Sequence, residues 1–267
     1  MQGRVLVIAG SDSGGGAGIQ GDIKTITALD GYAATAVTAL TAQNTRGVAA
    51  VEAVAPDFVA KQIDVILSDI GADAIKTGML HNTEVIEAVC DALEVATSIP
   101  LVVDPVMVAK GKERLLDVEA VATLKRRLIV GARIITPNLP EAEALTGMQI
   151  DDLETMQHAA EMLITLGPKA VLVKGGHLAG NAVTDIYIDD DGHNERFVNP
   201  RINTLHTHGT GCALASAIAT GLAQGMQMLD AVRRARAYVH KAILSAPGLG
   251  SGHGPLNHAH TVTKFTE

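Results

Sequence analysis

The chain is poor in aromatic residues: its 267 residues include no Trp, three Tyr and three Phe. Single-stranded nucleic acids are usually held by stacking on aromatic side chains, and a general nucleic-acid binder needs a basic face. The formal net charge here is −8. The composition therefore argues against nucleic-acid binding, although it leaves room for a local basic pocket that binds a small phosphorylated molecule.

Cysteine is also scarce, since the sequence contains Cys90 and Cys212 and no others. Two cysteines so far apart form neither a disulfide framework nor a zinc ribbon, and a reducing cytoplasm is the simplest compartment to expect. The first apolar run, residues 5–9, is too short for the core of a signal peptide. No apolar stretch is long enough to span a bilayer. We therefore expect a cytoplasmic protein that does not enter a membrane.

Short aliphatic runs alternate with longer helical patterns along almost the whole chain. Strands are predicted at residues 4–9, 35–40, 48–54, 74–77, 101–104, 134–136, 170–174, 183–188 and 196–198. Helices are predicted at residues 17–29, 57–70, 83–95, 118–128, 141–145, 153–166, 212–224 and 229–244. This alternation predicts a single α/β domain over residues 1–267, with a central, mostly parallel β-sheet and helices on both faces. Ligands of such sheets bind beyond the carboxyl ends of the strands, so we expect the active site there.

Glycine clusters in the loop after the first strand, residues 10–18. Gly16, Gly18 and Gly21 formally satisfy the G-x-G-x-x-G pattern of dinucleotide-binding folds. That fold also needs an acidic residue at the end of the second strand, and no carboxylate occurs there before Glu52. The pattern therefore does not favour a dinucleotide site. The G-x-x-x-x-G-K-[ST] sequence of a P-loop does not occur either.

Four other loops carry polar side chains directly after predicted strands. The amide of Gln43 suits a nitrogen heterocycle with an amino group, and Asp104 suits a carboxylate held near a metal–phosphate group. Asn138 and Glu141 are three residues apart at a helix start and could share one metal-bound water shell. Lys174, followed by two glycines, can point its ammonium at a phosphate. Each also has a purely structural interpretation, as an exposed turn, a helix cap or a solvated lysine.

Residues 206–212, His-Thr-His-Gly-Thr-Gly-Cys, run into a predicted helix. The free N–H groups and positive dipole end of a helix start, approached through flexible glycines, form a cradle for a transferring phosphoryl group. Cys212 lies in the first turn, where its thiolate would be stabilised. A buried, inert cysteine is the alternative. His206 and His208 lack the further ligands that zinc needs.

The glycine-rich and polar loops together resemble a known family. The motifs, in chain order, are AGSDSGGGAG (9–18), AQNT (42–45), KTGML (76–80), DPVM (104–107), TPNLPE (136–141), KGGH (174–177) and HTHGTGC (206–212). From about residue 5 to about residue 258 the sequence looks like the hydroxymethylpyrimidine and phosphomethylpyrimidine kinases of thiamine biosynthesis, a branch of the ribokinase-like superfamily. Sugar kinases of that superfamily carry an Asp where Cys212 stands.

The resemblance implies a ribokinase-like fold and transfer of phosphate from ATP, with Mg²⁺, to the hydroxymethyl group of 4-amino-5-hydroxymethyl-2-methylpyrimidine and then to the resulting monophosphate. It assigns the pyrimidine pocket to Gly10, Asp22, Gln43, Met79 and Val106. It assigns nucleotide contacts to Asn138, Lys174, His208 and Gly209, and Mg²⁺ to Asp104 and Glu141. The catalytic group would comprise the phosphate-facing Lys174, the anion hole of Gly209, Thr210 and Gly211, and Cys212 as nominal base.

Several expectations depend on the resemblance more than on the residues. Family members often form dimers through the sheet edge, so the resemblance allows a homodimer, but no residue pattern in this sequence indicates one. Lys110 and Lys112 are the nearest candidates to pair with the monophosphate in the second step. The sequence departs mildly from the family at residues 111–116, and Gly21 replaces the usual Ala. A pyridoxal kinase and a non-catalytic metabolite-binding protein are the alternative functions.

Overall fold

The computed structural model of the chain describes residues 1–107 and 118–263. These residues form a nine-stranded sheet with the strand order β3-β2-β1-β4-β5-β6-β7-β8-β9. The strands are β1 (Arg4–Asp12), β2 (Tyr32–Asn44), β3 (Gly47–Ala53), β4 (Ala74–Thr77), β5 (Leu101–Val103), β6 (Ile134–Ile135), β7 (Ala170–Val173), β8 (Ala182–Asp189) and β9 (Asn194–Pro200).

The central strands are parallel, whereas the two edges of the sheet are antiparallel. Parallel pairing runs without interruption from β2 through β1, β4, β5 and β6 to β7. At the edges, β3 pairs with β2, β8 with β7 and β9 with β8 in antiparallel register. The prediction of a mostly parallel sheet is therefore confirmed.

Helices cover both faces of the sheet. They are α1 (Gly18–Ala28), α2 (Pro56–Asp69), α3 (Thr83–Leu93), α4 (Val118–Thr123), α5 (Leu139–Thr146), α6 (Leu153–Ile164), α7 (Thr210–Ala223) and α8 (Met228–Leu244). Within the described ranges, none of them is both long and apolar enough to cross a bilayer.

Strand β1 shows how the two cores are separated. Leu6 and Ile8 point into the core under α2, α3, α5 and α6, whereas Val5 and Val7 point into the core under α1, α7 and α8. Successive residues of a strand face opposite sides, and a sheet covered on both sides has continuous apolar strands. The five-residue apolar run at the start of the sequence therefore matches a strand at the centre of the sheet.

The structure departs from the predicted helices where local caps or turns decide the ends. Helix α5 begins at Leu139, earlier than predicted, because Asn138 caps it and Pro140 fits its first turn. The predicted helix at residues 118–128 is α-helical over Val118–Thr123 and continues as a π-helical turn over Leu124–Leu128. A π turn shifts the side-chain spacing by one residue, which the apolar pattern did not indicate.

Candidate active site

A large cleft of about 2110 Å³ lies along the carboxyl ends of the parallel strands. Its wall comprises the loops that follow β1, β4, β5, β6 and β7, together with the carboxyl end of β2. The cleft brings together almost all of the predicted site residues: Gly10, Gln43, Met79, Asp104, Val106, Asn138, Glu141, Lys174, His208, Gly209, Thr210, Gly211 and Cys212.

Asp22 is the exception, because it does not line the cleft. Its side chain is fully buried, and its two oxygens are bonded to Lys76 Nζ at 2.8 Å and to Ser216 Oγ at 2.7 Å. The expectation that Asp22 surrounds the pyrimidine is therefore not met. The structure places Lys76, which does line the cleft, between Asp22 and the site.

Lys76 is a charged residue of the cleft that the sequence reasoning missed. Burial disfavours its ammonium, but the neighbouring Asp22 carboxylate overcomes this and the pKa of Lys76 is raised. For Asp22 burial acts in the opposite direction: it raises the pKa of the carboxyl group, while Lys76 lowers it, and the net shift is upward. Lys76 follows the apolar residues Ala74 and Ile75 in the short strand β4, and a lysine buried in such a strand needs a partner. That was the signal in the sequence.

One side of the cleft combines Gln43 with Gly10 and Met79. A Cβ atom at Gly10 would collide with the Met79 side chain, so the two residues pack directly against each other. The Met79 carbonyl accepts a hydrogen bond from Thr38 Oγ1 at 2.6 Å. At the end of β2, Gln43 Oε1 accepts a hydrogen bond from Thr41 Oγ1 at 3.1 Å. These contacts form a mainly apolar wall with one amide, which suits a small nitrogen heterocycle.

A compact charged cluster lies at the carboxyl ends of β5, β6 and β7. Lys174 Nζ is 2.9 Å from Asp104 Oδ1 and 3.9 Å from Glu141 Oε2. Asp104 Oδ1 also accepts a hydrogen bond from Thr136 Oγ1 at 3.1 Å. Burial disfavours the charged form of Lys174, but Asp104 and Glu141 raise its pKa. The cluster thus keeps a cation and two carboxyl groups together within one part of the cleft.

Glu141 is buried, although it lies in the first turn of α5. Its side chain turns back to accept the Asn138 N–H at 2.8 Å, and the Asn138 side chain accepts the Glu141 N–H at 3.0 Å. This reciprocal capping box draws the carboxyl group inward. Burial raises the pKa of Glu141 to about 7, Lys174 works against this rise, and Asp104 adds to it.

The predicted anion cradle begins where the glycine-rich loop of residues 10–18, called here the glycine loop, meets the start of α7. Gly209 caps the helix in the left-handed region, with a φ of 85°, and a Cβ there would collide with the Gly16 carbonyl oxygen. A Cβ at Gly211 would stand 3.1 Å from Lys174 Nζ and 3.5 Å from Asp104 Oδ2. The start of α7, with its free N–H groups and positive dipole end, therefore directly adjoins the charged cluster.

Cys212 is in the first turn of α7, yet its thiol is protonated. Burial raises its pKa to about 12; Lys76 lowers it, and Asp22 and Asp104 raise it further. The expectation of a thiolate stabilised by the helix start is therefore wrong for the ligand-free protein, since desolvation outweighs the helix field. Burial also raises the pKa of Cys90, to about 11.

His208 is bonded within the site to a residue that the sequence reasoning missed. Its Nε2 lies 2.8 Å from Asp12 Oδ2. No His206–His208 metal group occurs in the described ranges: the one group there with suitable spacing is Asp189, Asp191 and His193, on the turn between β8 and β9.

Lys110 and Lys112 lie outside the described residues.

The fold and the cleft define the class of the protein. A mostly parallel sheet whose carboxyl edge joins a heterocycle-sized wall, a lysine–carboxylate cluster and a glycine cradle is typical of a ribokinase-like phosphotransferase. The family model described as phosphomethylpyrimidine kinase matches residues 12–257. The chain therefore belongs to the phosphomethylpyrimidine kinase family, as the motifs predicted.

Individual relatives agree with the family assignment. The chain is 53% identical over 96% of its length to the thiamine biosynthesis bifunctional protein ThiED of Geobacter sulfurreducens, of which it covers 52%. It is 47% identical to the hydroxymethylpyrimidine/phosphomethylpyrimidine kinase of Bacillus subtilis, in an alignment that covers 96% of this chain and 94% of that one. The ADP complex of Bacillus subtilis pyridoxal kinase superposes with a TM-score of 0.90 at 34% identity, covering 97% and 98% of the two chains.

Proposed function

We propose that the protein phosphorylates the hydroxymethyl group of 4-amino-5-hydroxymethyl-2-methylpyrimidine with ATP, and then phosphorylates the monophosphate to the diphosphate. The observation that carries this proposal is the position of Lys174, Asp104 and Glu141 beside Gly211 in the cleft. We infer that the phosphoryl group passes this cluster on its way from the nucleotide to the acceptor.

Each part of the cleft has a role in the proposed reaction. The acceptor oxygen attacks the γ-phosphorus, the bond to the β–γ bridging oxygen breaks, and ADP leaves. Lys174 neutralises charge on the phosphates, and the N–H groups at Gly209 and Gly211 bind the phosphoryl oxygens. Gln43 orients the ring through its amide. Phosphoryl transfer needs mainly such positioning and charge neutralisation.

Cys212 is the nominal proton acceptor, but its thiol is not ionised in the ligand-free protein. In a loose transition state the bond from the attacking oxygen to phosphorus is barely formed, so the hydroxyl oxygen gains little positive charge before the transfer is well advanced. The proton of the hydroxyl group therefore leaves late in this proposal and passes to an oxygen of the transferred phosphoryl group. Cys212 then contributes mainly its position beside the cradle.

The residues of the charged cluster fit a magnesium ion. Mg²⁺ prefers a few carboxylate oxygens together with water and substrate phosphates, and Asp104 and Glu141 present buried carboxyl groups to the cleft. We propose that these two residues hold Mg²⁺, directly or through water, with Asn138 adjacent. When bound, the ion would neutralise charge on the phosphates of ATP.

The direct test combines pure protein, ATP and Mg²⁺ with either the pyrimidine alcohol or pyridoxal. We expect both the mono- and the diphosphate of the pyrimidine. Lys174→Ala should lower kcat by about 10²-fold or more, as removal of one preorganised charge-stabilising group typically does. Lys169→Ala is the matched control, because Lys169 is exposed and pairs with Asp190 at 2.9 Å outside the cleft. ATP binding without any phosphorylated product would refute the proposal in favour of a non-catalytic binding protein.

Pyridoxal is the second candidate acceptor. Its support is the superposition with a pyridoxal kinase over nearly the full length of both chains, and pyridoxal is also a hydroxymethyl heteroaromatic. If pyridoxal is phosphorylated and the pyrimidine is not, the primary assignment is wrong.

A single domain, a cytoplasmic location and a homodimer complete the proposal. The continuous sheet from β3 to β9 supports one domain. The scarcity of cysteine supports a reducing compartment. Sedimentation equilibrium of the pure protein tests the dimer, and a monomer at micromolar concentration would refute it.

A further inference from the structure

A series of hydrogen bonds runs from Gln43 to the phosphate cradle. Ser13 Oγ accepts the Gln43 N–H at 2.8 Å and donates to the Gln43 carbonyl at 2.8 Å. The next residue toward β1, Asp12, bonds to His208 at 2.8 Å. His208 directly precedes Gly209, the residue that caps α7. The ring-orienting residue and the phosphate cradle are therefore connected through one short segment of the glycine loop.

Asp12 is the junction of this series. It is 3% exposed, and besides His208 it accepts the N–H groups of Gly14 at 2.8 Å, Gly16 at 3.1 Å and Ala17 at 2.9 Å. Burial alone would raise its pKa, but His208 and these N–H groups hold it below the ordinary value. Charge-assisted hydrogen bonds of this number fix a carboxylate firmly. His208 is therefore held against a rigid part of the loop.

Steric contact joins the same two loops. A Cβ at Gly16 would contact the His208 ring and would lie 3.1 Å from Pro255 Cβ, and a Cβ at Gly209 would collide with the Gly16 carbonyl oxygen. The His208 N–H also donates to the Gly254 carbonyl at 3.1 Å. Backbones in such close contact cannot shift independently. A displacement of the glycine loop therefore also displaces the start of α7.

We propose that Asp12 and His208 are positioning residues that couple binding of the pyrimidine to binding of the nucleotide. This inference rests on the proposed function. A ring bound at Gln43 restrains Ser13 and Asp12, and through His208 it restrains the cradle. The nucleotide then binds a cradle that is already ordered, so it loses less conformational entropy on binding. By linkage, the nucleotide must tighten binding of the pyrimidine by the same factor.

The experiment measures the dissociation constant of the non-hydrolysable analogue AMP-PCP, with Mg²⁺, in the absence and presence of saturating pyrimidine alcohol. We expect the pyrimidine to tighten analogue binding to the parent protein by about 5- to 150-fold, the usual range of such coupling. The coupling ratio is the dissociation constant of AMP-PCP without the pyrimidine divided by that with it. In His208→Phe this ratio should fall to within about twofold of unity. His208→Gln, which can still donate to Asp12, should restore part of the ratio.

The control uses a second histidine–aspartate pair of the chain. His193 Nδ1 lies 2.9 Å from Asp189 Oδ2 on an exposed turn, outside the cleft. His193→Phe should leave the ratio unchanged. If His208→Phe does not fold, His208→Gln and Asp12→Asn serve as the test pair, and both should reduce the ratio.

Three outcomes would overturn the inference: a ratio of one in the parent protein, a parental ratio in His208→Phe, or weakening of both ligands with the ratio unchanged. The last of these would show a merely structural role. The proposed function fails separately, if the parent protein forms no phosphorylated product from ATP and the pyrimidine.

Discussion

Replacing Lys76 by methionine tests the most deeply buried charge pair of the site. Lys76 and Asp22 are both fully buried and 2.8 Å apart. Methionine keeps most of the apolar stem but removes the ammonium, so Asp22 is left without a counter-charge. A carboxylate in that position does not remain ionised; it takes up a proton instead.

The cost follows from that protonation. An Asp with an ordinary pKa of about 3.9 needs about 4 kcal/mol to be protonated at pH 7, which agrees with the roughly 3–5 kcal/mol measured for breaking buried ion pairs. In the variant, the pKa of Asp22 in the folded state exceeds its unfolded value. The unfolded state therefore binds fewer protons, and stability falls as pH rises. For a parent whose Asp22–Lys76 pair stays charged from pH 5 to pH 7, the destabilisation should shrink by about 1.4 kcal/mol for each unit by which the pH falls, to about 1.5 kcal/mol at pH 5.

Urea unfolding of parent and variant at pH 5 and pH 7 measures the loss of stability at each pH. Asp22→Asn combined with Lys76→Met is the matched control, because no charge remains to be neutralised and its stability difference from the parent should vary little over this range. Lys169→Met should change stability by no more than about 0.5 kcal/mol, as for an exposed pair. The reasoning is refuted if Lys76→Met costs the same at both pH values or less than about 1 kcal/mol.

Three further predictions concern His258, a buried residue of the C-terminal segment, the phosphate cradle and the ring pocket. Burial lowers the pKa of His258 to about 4, so the folded state resists protonation and parent stability should fall between about pH 6.5 and pH 4; urea unfolding of His258→Asn should show a weaker dependence, and an unchanged slope would contradict this. Gly209→Ala should lose at least about 1–3 kcal/mol in urea unfolding, more than Gly147→Ala, which has a φ of 75° but meets no atom within 4 Å; equal losses would refute the steric argument. Gln43→Ala should weaken binding of the pyrimidine by about 1–3 kcal/mol in calorimetry, and equal weakening of AMP-PCP would count against the placement of the ring.

The order of elements could be predicted from the sequence because the buried strands are short and apolar. Strand β4 has its predicted ends at residues 74 and 77, and α3 begins at its predicted first residue, Thr83. Errors arose where a cap decides the boundary. Helix α7 begins at Thr210 rather than Cys212, because Gly209 in the left-handed region ends the loop there.

The sequence predicted which residues lie at the sheet edge, because each of them follows its own strand. It did not predict which residues of distant segments form hydrogen bonds or ion pairs with one another. Lys174 and Asp104 were both expected at the sheet edge and are 2.9 Å apart. The partners of Asp12 and Lys76 were not foreseen, since a bond such as the one from Asp12 to His208, 196 residues away, depends on topology. The burial of Glu141 was not foreseen either, because it depends on a capping box that turns the carboxyl group inward.

Alkylation of Cys212 decides whether the thiol can serve as a base. With a pKa of about 12, the thiolate fraction at pH 7 is on the order of 10⁻⁵, and only the thiolate reacts with iodoacetamide. In a Cys90→Ala background, which removes the other thiol, inactivation should be slow at pH 7 and should accelerate about tenfold per pH unit up to pH 10. ATP with the pyrimidine should protect. Cys212→Ala should then lose less than about tenfold in turnover. A rate plateau below pH 8, or a loss of about 10²-fold or more in Cys212→Ala, would instead show an ionised thiol acting as general base.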